Sequence, residues 1–536
     1  MVDSKIIRNI EKSVDDVFKK NDLLFRPHEE TLISIFYEYE IAGLADSFLD
    51  PGPAVGKDFS DRLKYALMYS LRWLFTTKAR RRKVKDLSKS AIKLLSLAMD
   101  YAEVVPGFTM YWHGYYSCEV ISDNELKFTI PEPFLYYEGV SKVIDIINVG
   151  DQFDNTIRAT QEFFRRKPDL KFEGITERGV LNLDSDNHAF GTFYRLGLEI
   201  VSGFCRMPVD WKYRAYDLST LLKIWAALVG VSLMTKFIYF KRIEPRLLLP
   251  FLSFDIGVWA GFISRVTGLE EPIVNDFIAL NTYRKGANYA DPALQPFIPF
   301  GRSELILSPE LINTSNLLRN FIVLLNKIDN NGYNATTAVL EKEQIGKVDR
   351  ILAAKWRTFT NRDFKGQDID IFVVDEEEDQ LLVLELKWTY EAAEPHDIIN
   401  KIKSVEEKGF GQVKTRIALV EDKLHDFAKK FRINFNDIRK VTVVGCLVIS
   451  GFSGSGILHK ENIPVIEESL FLSAAQSFDL LSDFVRFLVN KEFLPIDGKE
   501  IEKGFNKIKI GDFYISVPGY KVNAPEYQKR LSLLFY

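Results

Sequence analysis

The chain has 536 residues, 46% hydrophobic and 27% charged, with a formal net charge of −4. One hydrophobic core stops growing well short of that length, so several domains are expected, and the composition excludes a disordered or fibrous chain. Cys118, Cys205 and Cys446 stand far apart with no CxxC pair, which argues against a disulfide framework or zinc cage and fits a reducing cytoplasm. The opening MVDSKIIRNIEKSVDDVFKK spaces apolar residues helically among mixed charges and lacks the unbroken apolar run of an export signal.

Residues 1–290 read as a mainly helical recognition or regulatory region, as in RLKYALMYSLRWLF and DLSKSAIKLLSLAMDYAEV, with apolar residues three and four apart. A strand-like interruption is expected at 109–134, where aromatic and β-branched residues alternate. The most apolar stretch, Ile224 to Thr235, is bounded by Lys223 and Lys236. It is shorter than the roughly 20 residues a bilayer requires, so it is read as a buried helix and no membrane partner is expected. Between Arg62 and Lys89, ten basic residues face Asp86 alone, a local charge of +9. Arg80, Arg81, Arg82, Lys83 and Lys85 form the densest part, with Tyr65, Tyr69 and Trp73 upstream. Such a cluster either grips a phosphate backbone and stacks on bases, or is a solvated basic loop ending an amphipathic helix. Arg165, Arg166 and Lys167 form a smaller patch of the same kind.

A connecting segment, 291–334, carries prolines at 292, 296, 299 and 309, pointing to a loop and small hairpin before a helix from Leu317 to Ile328. From 335 to 490 the expected order is a helix (Thr336 to Trp356), strands IDIFVV and LLVLELKW joined by DEEED, and an amphipathic helix from Gly411 to Phe431. Strands VTVVGCLVIS and IPVIEES follow, then a helix from Phe478 to Val489. Residues 491–536 read as a β extension. The expected fold class is α/β: a large helical N-terminal region followed by a mixed sheet covered by helices.

In LLVLELKW, alternation puts Glu385 and Lys387 on one face and Leu384, Leu386 and Trp388 on the other. If Val374 faces Leu381 across an antiparallel pair, Asp370 stands opposite Glu385 and Asp368 opposite Lys387. Opposed Cβ atoms lie about 4.5–5.5 Å apart, close enough for two carboxylates to share a hard divalent cation. GQDID followed by LELK resembles the G-x-x-x-D…(D/E)-x-K signature of the PD-(D/E)XK, or restriction-endonuclease-like, nucleases. The resemblance covers roughly 335–489. It implies Asp370 and Glu385 as ligands of Mg²⁺, which Mn²⁺ can replace, and Lys387 as the catalytic lysine. The family often adds a glutamate from the preceding helix. Glu341, sharing a stripe with Ile345, Val348 and Leu352, is expected to face the sheet as a third ligand, while Glu343 is expected in solvent. Gln412 resembles the glutamine that many members place after the lysine strand, with Lys414 as second choice.

The expected activity is therefore a metal-dependent endonuclease acting on nucleic acid, with DNA the expected polymer and defence against foreign DNA the setting suggested by family analogy. The competing expectation is a nucleic-acid-binding or structural component that keeps the nuclease fold without cutting. No GxxxxGK[ST] loop is present, so a motor would be a separate protein, and homo-oligomer and partner protein both stay open.

Overall fold

The computed structural model describes residues 2–49, 53–80, 83–131, 188–203, 207–241, 249–287, 289–390, 395–451 and 463–535, with single positions between them. Helices α1 (Val2–Phe18), α2 (His28–Leu49), α3 (Pro53–Thr76) and α4 (Leu87–Trp112) open the chain. They pack through Phe18, Phe36, Leu67, Leu71 and Leu94. The aromatic stretch expected to begin a strand at Thr109 first continues α4 to Trp112. Gly114, at φ +78°, supplies the left-handed residue that ends the helix, and only then do β1 (Ser117–Ser122) and β2 (Glu125–Thr129) pair as a hairpin.

Helix α5 (His188–Gly203) crosses α6 (Leu218–Lys241), with the short strands β3 (Lys212–Tyr213) and β4 (Tyr216–Asp217) between them. Their backbones touch because both carry glycine at the crossing. A Cβ on Gly197 would lie 2.5 Å from the Ala226 carbonyl oxygen, and one on Gly230 would lie 3.0 Å from that of Phe193. Helix α6 contains the apolar stretch anticipated as buried. Among the described residues, Leu218–Tyr239 is the one segment long and apolar enough to cross a membrane, and 83% of its window is buried inside the fold.

Next come β5 (Leu252–Asp255), α7 (Ile256–Thr267), α8 (Glu271–Leu280), β6 (Ile298–Phe300), β7 (Glu304–Leu307), α9 (Pro309–Thr314) and α10 (Leu317–Ile328). The hairpin expected in the connecting segment is β6–β7, which β5 extends to three strands. Helix α10 has the anticipated bounds, with the Asn316 side chain capping its first turn by accepting the Arg319 N–H.

Then follow α11 (Asn330–Leu352), β8 (Arg357–Phe364), β9 (Gln367–Asp375), β10 (Gln380–Trp388), α12 (Pro395–Ser404), a π turn (Val405–Phe410), α13 (Gly411–Asp422), α14 (Leu424–Phe431), β11 (Thr442–Ser450) and β12 (Val465–Glu467). Among the described residues they form a mixed five-stranded sheet, order β12-β11-β10-β9-β8, parallel from β10 to β12 and antiparallel from β8 to β10. Four features depart from expectation. Helix α11 runs from Asn330 to Leu352 rather than from Thr336 to Trp356. Edge strand β8 was not anticipated, because its exposed Arg357, Asn361, Arg362 and Asp363 hide any alternation. The expected helix Gly411 to Phe431 is broken at Lys423, which leaves the helical region. Helix α12 and the π turn precede it in the crossover.

Helices α15 (Glu468–Ser477) and α16 (Leu481–Val489), strands β13 (Ile501–Ile510) and β14 (Phe513–Val522), and α17 (Ala524–Phe535) complete the chain. The tail is thus not all β. Ala524, Tyr527 and Leu531 recur at helical spacing and are buried in the core of the five-stranded sheet. Strand β14 lies parallel to β2, giving a separate four-stranded sheet of order β1-β2-β14-β13 that joins the two ends of the chain.

Candidate active site

Strands β9 and β10 pair in the anticipated register, Val374 opposite Leu381. The ladder stops at Ile371↔Leu384, one residue before Asp370. There the Asp370 carboxylate takes over the role of a ladder carbonyl and accepts the Leu386 N–H at 2.9 Å. On its other side β10 is covered by β11, with Glu385 opposite Leu447 and Lys387 opposite Ile449. Glu385 is therefore on a central strand and only 1% exposed.

A carboxylate so deeply buried requires compensation. The Lys387 ammonium supplies one partner, 2.5 Å from Glu385 Oε1. Arg416 on α13 supplies the other, its guanidinium paired with Glu385 Oε2. Arg416 is 5% exposed and was not anticipated. The available signal was its place on a helical apolar stripe, three residues after Val413 and four before Val420, where a cation must find an anion. Helix α13 reaches β10 closely because Gly445 on β11 carries no side chain. A Cβ there would run into Ile417 and would lie 2.5 Å from Cγ1 of Val413.

Glu341 is the remaining expected acid. The stripe of α11 that faces the sheet is Leu340, Gln344, Val348 and Leu352, so Glu341 stands one position off it, exposed at the rim rather than facing the sheet. The difference arises because burial recurs at every fourth residue here, which excludes the 341/345 line that also fits a 3.6-residue period. Its carboxyl nevertheless shares the field of the site. Partial desolvation at the rim raises its pKa, Lys387 lowers it and Asp370 raises it again. Lys387 shows the complement: burial lowers its pKa, while Asp370 and Glu341 favour the charged form. Burial likewise opposes the charge of Arg416, and Asp370 and Asp368 favour it. Glu343 is exposed, as expected.

Gln412 is half-buried one turn before Arg416 on the same helical face, and its Oε1 is buried without a hydrogen-bond partner. Lys414 is exposed. Gln344, unnoticed in the sequence, is buried with both amide atoms unpartnered, three residues after Glu341. Unmet buried amides cost about 1–3 kcal/mol each, a cost tolerated where a ligand is to be met.

Glu341, Asp368, Asp370 and Glu385 against Lys387 and Arg416 leave an excess of two negative charges, and every donor oxygen is a carboxylate, which suits a hard divalent cation. Among the described residues no three His, Cys, Asp or Glu side chains are drawn together closely enough to hold a metal, and both oxygens of Glu385 are turned to cations.

Neither protein-family models, nor curated proteins, nor solved structures match this chain.

The basic cluster is partly consumed by the fold. Arg62 pairs with Glu103 at 2.5 Å, Lys64 with Asp61 at 2.6 Å, and Arg72 donates to the Ala290 carbonyl at 2.7 Å. Two of its aromatic residues, Tyr69 and Trp73, pack against the core rather than forming a stacking platform. Trp73 stacks on Phe18 at 5.2 Å and Tyr69 meets Tyr101 edge-on at 4.9 Å, because α3 turns that face onto α1 and α4. Lys78, Arg80, Lys83, Lys85 and Lys89 are exposed. Arg81, Arg82 and the patch at 165–167 lie outside the described residues.

Proposed function

We propose that the chain is a metal-dependent nuclease that hydrolyses phosphodiester bonds of nucleic acid, DNA by preference, in a cytoplasmic setting such as defence against foreign DNA. The observation that carries this reading is the convergence of Asp370, Glu385 and Lys387 where the β9–β10 ladder opens, with Glu341 at the rim. To hold Mg²⁺ or Mn²⁺, Glu385 would have to turn an oxygen from Lys387 or Arg416 toward Asp370, with Glu341 closing in as third donor. When bound, that ion supplies Lewis acidity and lowers the pKa of a coordinated water. Lys387, its pKa lowered by burial, is suited to orient an attacking water and to offset charge developing on the phosphate. Arg416 pairs with Glu385 and holds it in place. Gln412 presents an unmet amide from the adjoining helix face.

Nicking of supercoiled plasmid with Mg²⁺ or Mn²⁺, blocked by EDTA, tests the reading. Lys387→Ala is expected to abolish nicking while nucleic-acid binding survives, because the lysine acts on the transition state more than on the ground state. Equal loss of both would contradict that role. The second reading, a fold that binds nucleic acid without cutting, is favoured by one observation: both oxygens of Glu385 are engaged by cations. Thermal melts of wild type and Asp370→Asn, each with EDTA and with Mg²⁺, separate the two. The nuclease reading expects Mg²⁺ to stabilise the wild type by mass action and to do little for the variant. A loss of roughly 3–5 kcal/mol on Asp370→Asn without any metal effect would make Asp370 a structural ion-pair partner instead.

A further inference from the structure

The β1-β2-β14-β13 sheet has two unlike faces. Leu126, Phe128, Ile508, Ile510, Ile515 and Val517 form one core with α1 and α4. By strand alternation and register, the other face carries Lys127 on β2, Lys503, Phe505, Lys507 and Lys509 on β13, and Tyr514 and Tyr520 on β14. Phe505 is 49% exposed, a large ring left in water. Lysines cover the rings: Lys127 Nζ lies 4.5 Å from the Phe505 centroid, and those of Lys507 and Lys509 lie 5.0 and 5.5 Å from that of Tyr514. Glu119 and Glu125 share the face, with Glu125 pairing to Lys507 at 2.5 Å, and Lys503 pairs with Asp497 at 3.0 Å.

We propose that this face is a binding platform for single-stranded nucleic acid, with Phe505 and Tyr514 stacking on bases and Lys127, Lys507 and Lys509 releasing their rings to meet phosphates. Rings with lysines two residues away along one strand face repeat at roughly 6.6–6.8 Å, which interleaves stacking surface with positive charge, the combination that single strands reward. A duplex fits poorly. Three inter-strand spacings make the face roughly 14 Å wide between its outer strands, broader than a major groove of about 12 Å. A lipid surface fits poorly too, because one exposed phenylalanine among lysines offers little to insert. The proposal takes from the nuclease reading only that the polymer is nucleic acid, and it names the single strand as the form recognised.

The test is anisotropy of a labelled 15-nucleotide oligothymidylate with the full chain in EDTA, so that binding is read without cutting. Phe505 is exposed, so Phe505→Ala leaves the core untouched. It is expected to weaken binding by about 5- to 100-fold, the cost of one lost stacking interaction. Lys507→Gln with Lys509→Gln is expected to reduce the slope of log affinity against log salt by about 1.4, as two phosphate contacts are lost. Wild-type affinity and slope in both variants would overturn the platform, as would absence of wild-type binding or capture by phosphatidylserine vesicles in place of the oligonucleotide. If Lys387-dependent nicking persists while these variants bind normally, the platform fails and the nuclease stands. Phe505-dependent binding without nicking gives the reverse.

Discussion

Glu40 sits fully buried between α2 and α9. Its carboxyl accepts the Ser308 hydroxyl and the Glu310 N–H, the latter at 3.0 Å, while the Glu310 carboxylate pairs with Lys236. Two carboxylates therefore share one ammonium. Burial is the main reason that the Glu40 pKa is pushed up to about 8, with Lys236 lowering it and Glu310 raising it. A folded pKa above the unfolded value means that the native state keeps a proton the unfolded chain loses. That contribution to stability is complete below about pH 4.5 and declines as pH rises to about 8. Glu40→Gln should remove the decline. In urea unfolding at pH 5.5 and 8.5, wild type is expected to lose on the order of a few kcal/mol more than the variant, and equal losses would show that the proton is held elsewhere. The Glu385–Arg416 pair obeys a different rule, since both partners are charged and buried. Arg416→Met leaves one oxygen of the buried Glu385 without its cation, with Lys387 alone on the other, and should cost up to about 3–5 kcal/mol. Adding Glu385→Gln should recover much of that loss, which a double-mutant cycle measures.

Elements carry the site into place, and Gly445 is the contact that decides it. Ile417 can swing its terminal methyl aside, but Val413 is β-branched and held to one rotamer in a helix, so a methyl at 445 must push α13 outward. Gly445→Ala is expected to destabilise by about 1–3 kcal/mol and to lower nicking beyond what that loss explains, because Arg416 retreats with the helix. Activity in proportion to the folded fraction would separate packing from function. Much of this level was legible in the sequence. Alternation alone fixed which residues of β9 and β10 share a face, and a single assumed pair then set the register of the ladder, which ends at Ile371 and Leu384, one residue short of the expected Asp370–Glu385 pair. What escaped had physical reasons. Strand β8 is an exposed edge whose polar residues erase the period. Gln344 reads as a surface residue until Leu340 and Val348 are seen to flank it on one buried line. Arg416 reads as solvated until its stripe is known to face a carboxylate.

At the scale of the whole molecule, a boundary near 290 and a β extension at 491–536 describe the order of the sequence, while packing follows another plan. Strand β14 pairs with β2, and α17 closes the core of the five-stranded sheet through Ala524, Tyr527 and Leu531 beside Phe493 and Leu488. No local period announces such contacts, because they join segments hundreds of residues apart. Helix α17 is held by polar contacts as well. Tyr527 donates its hydroxyl to the Phe493 carbonyl at 2.7 Å, and Arg530 pairs with the buried Glu500 at 2.6 Å while donating to the Glu492 carbonyl at 2.5 Å. Deleting residues 524–536 would expose Tyr527's and Leu531's seats, at about 1.5–3 kcal/mol for each large side chain, and would strand Glu500 at about 3–5 kcal/mol more. Losses of that size rival the whole stability of a typical domain. The deletion is expected to produce a separate low-temperature unfolding step and protease cleavage within 335–490, while the α5–α6 core melts as before. The pair Arg530→Met with Glu500→Gln keeps the apolar contacts and relieves the stranded charge, so it should retain most of the wild-type melting temperature. A deletion that melts in one step at the wild-type temperature would show that α17 covers a surface already stable without it.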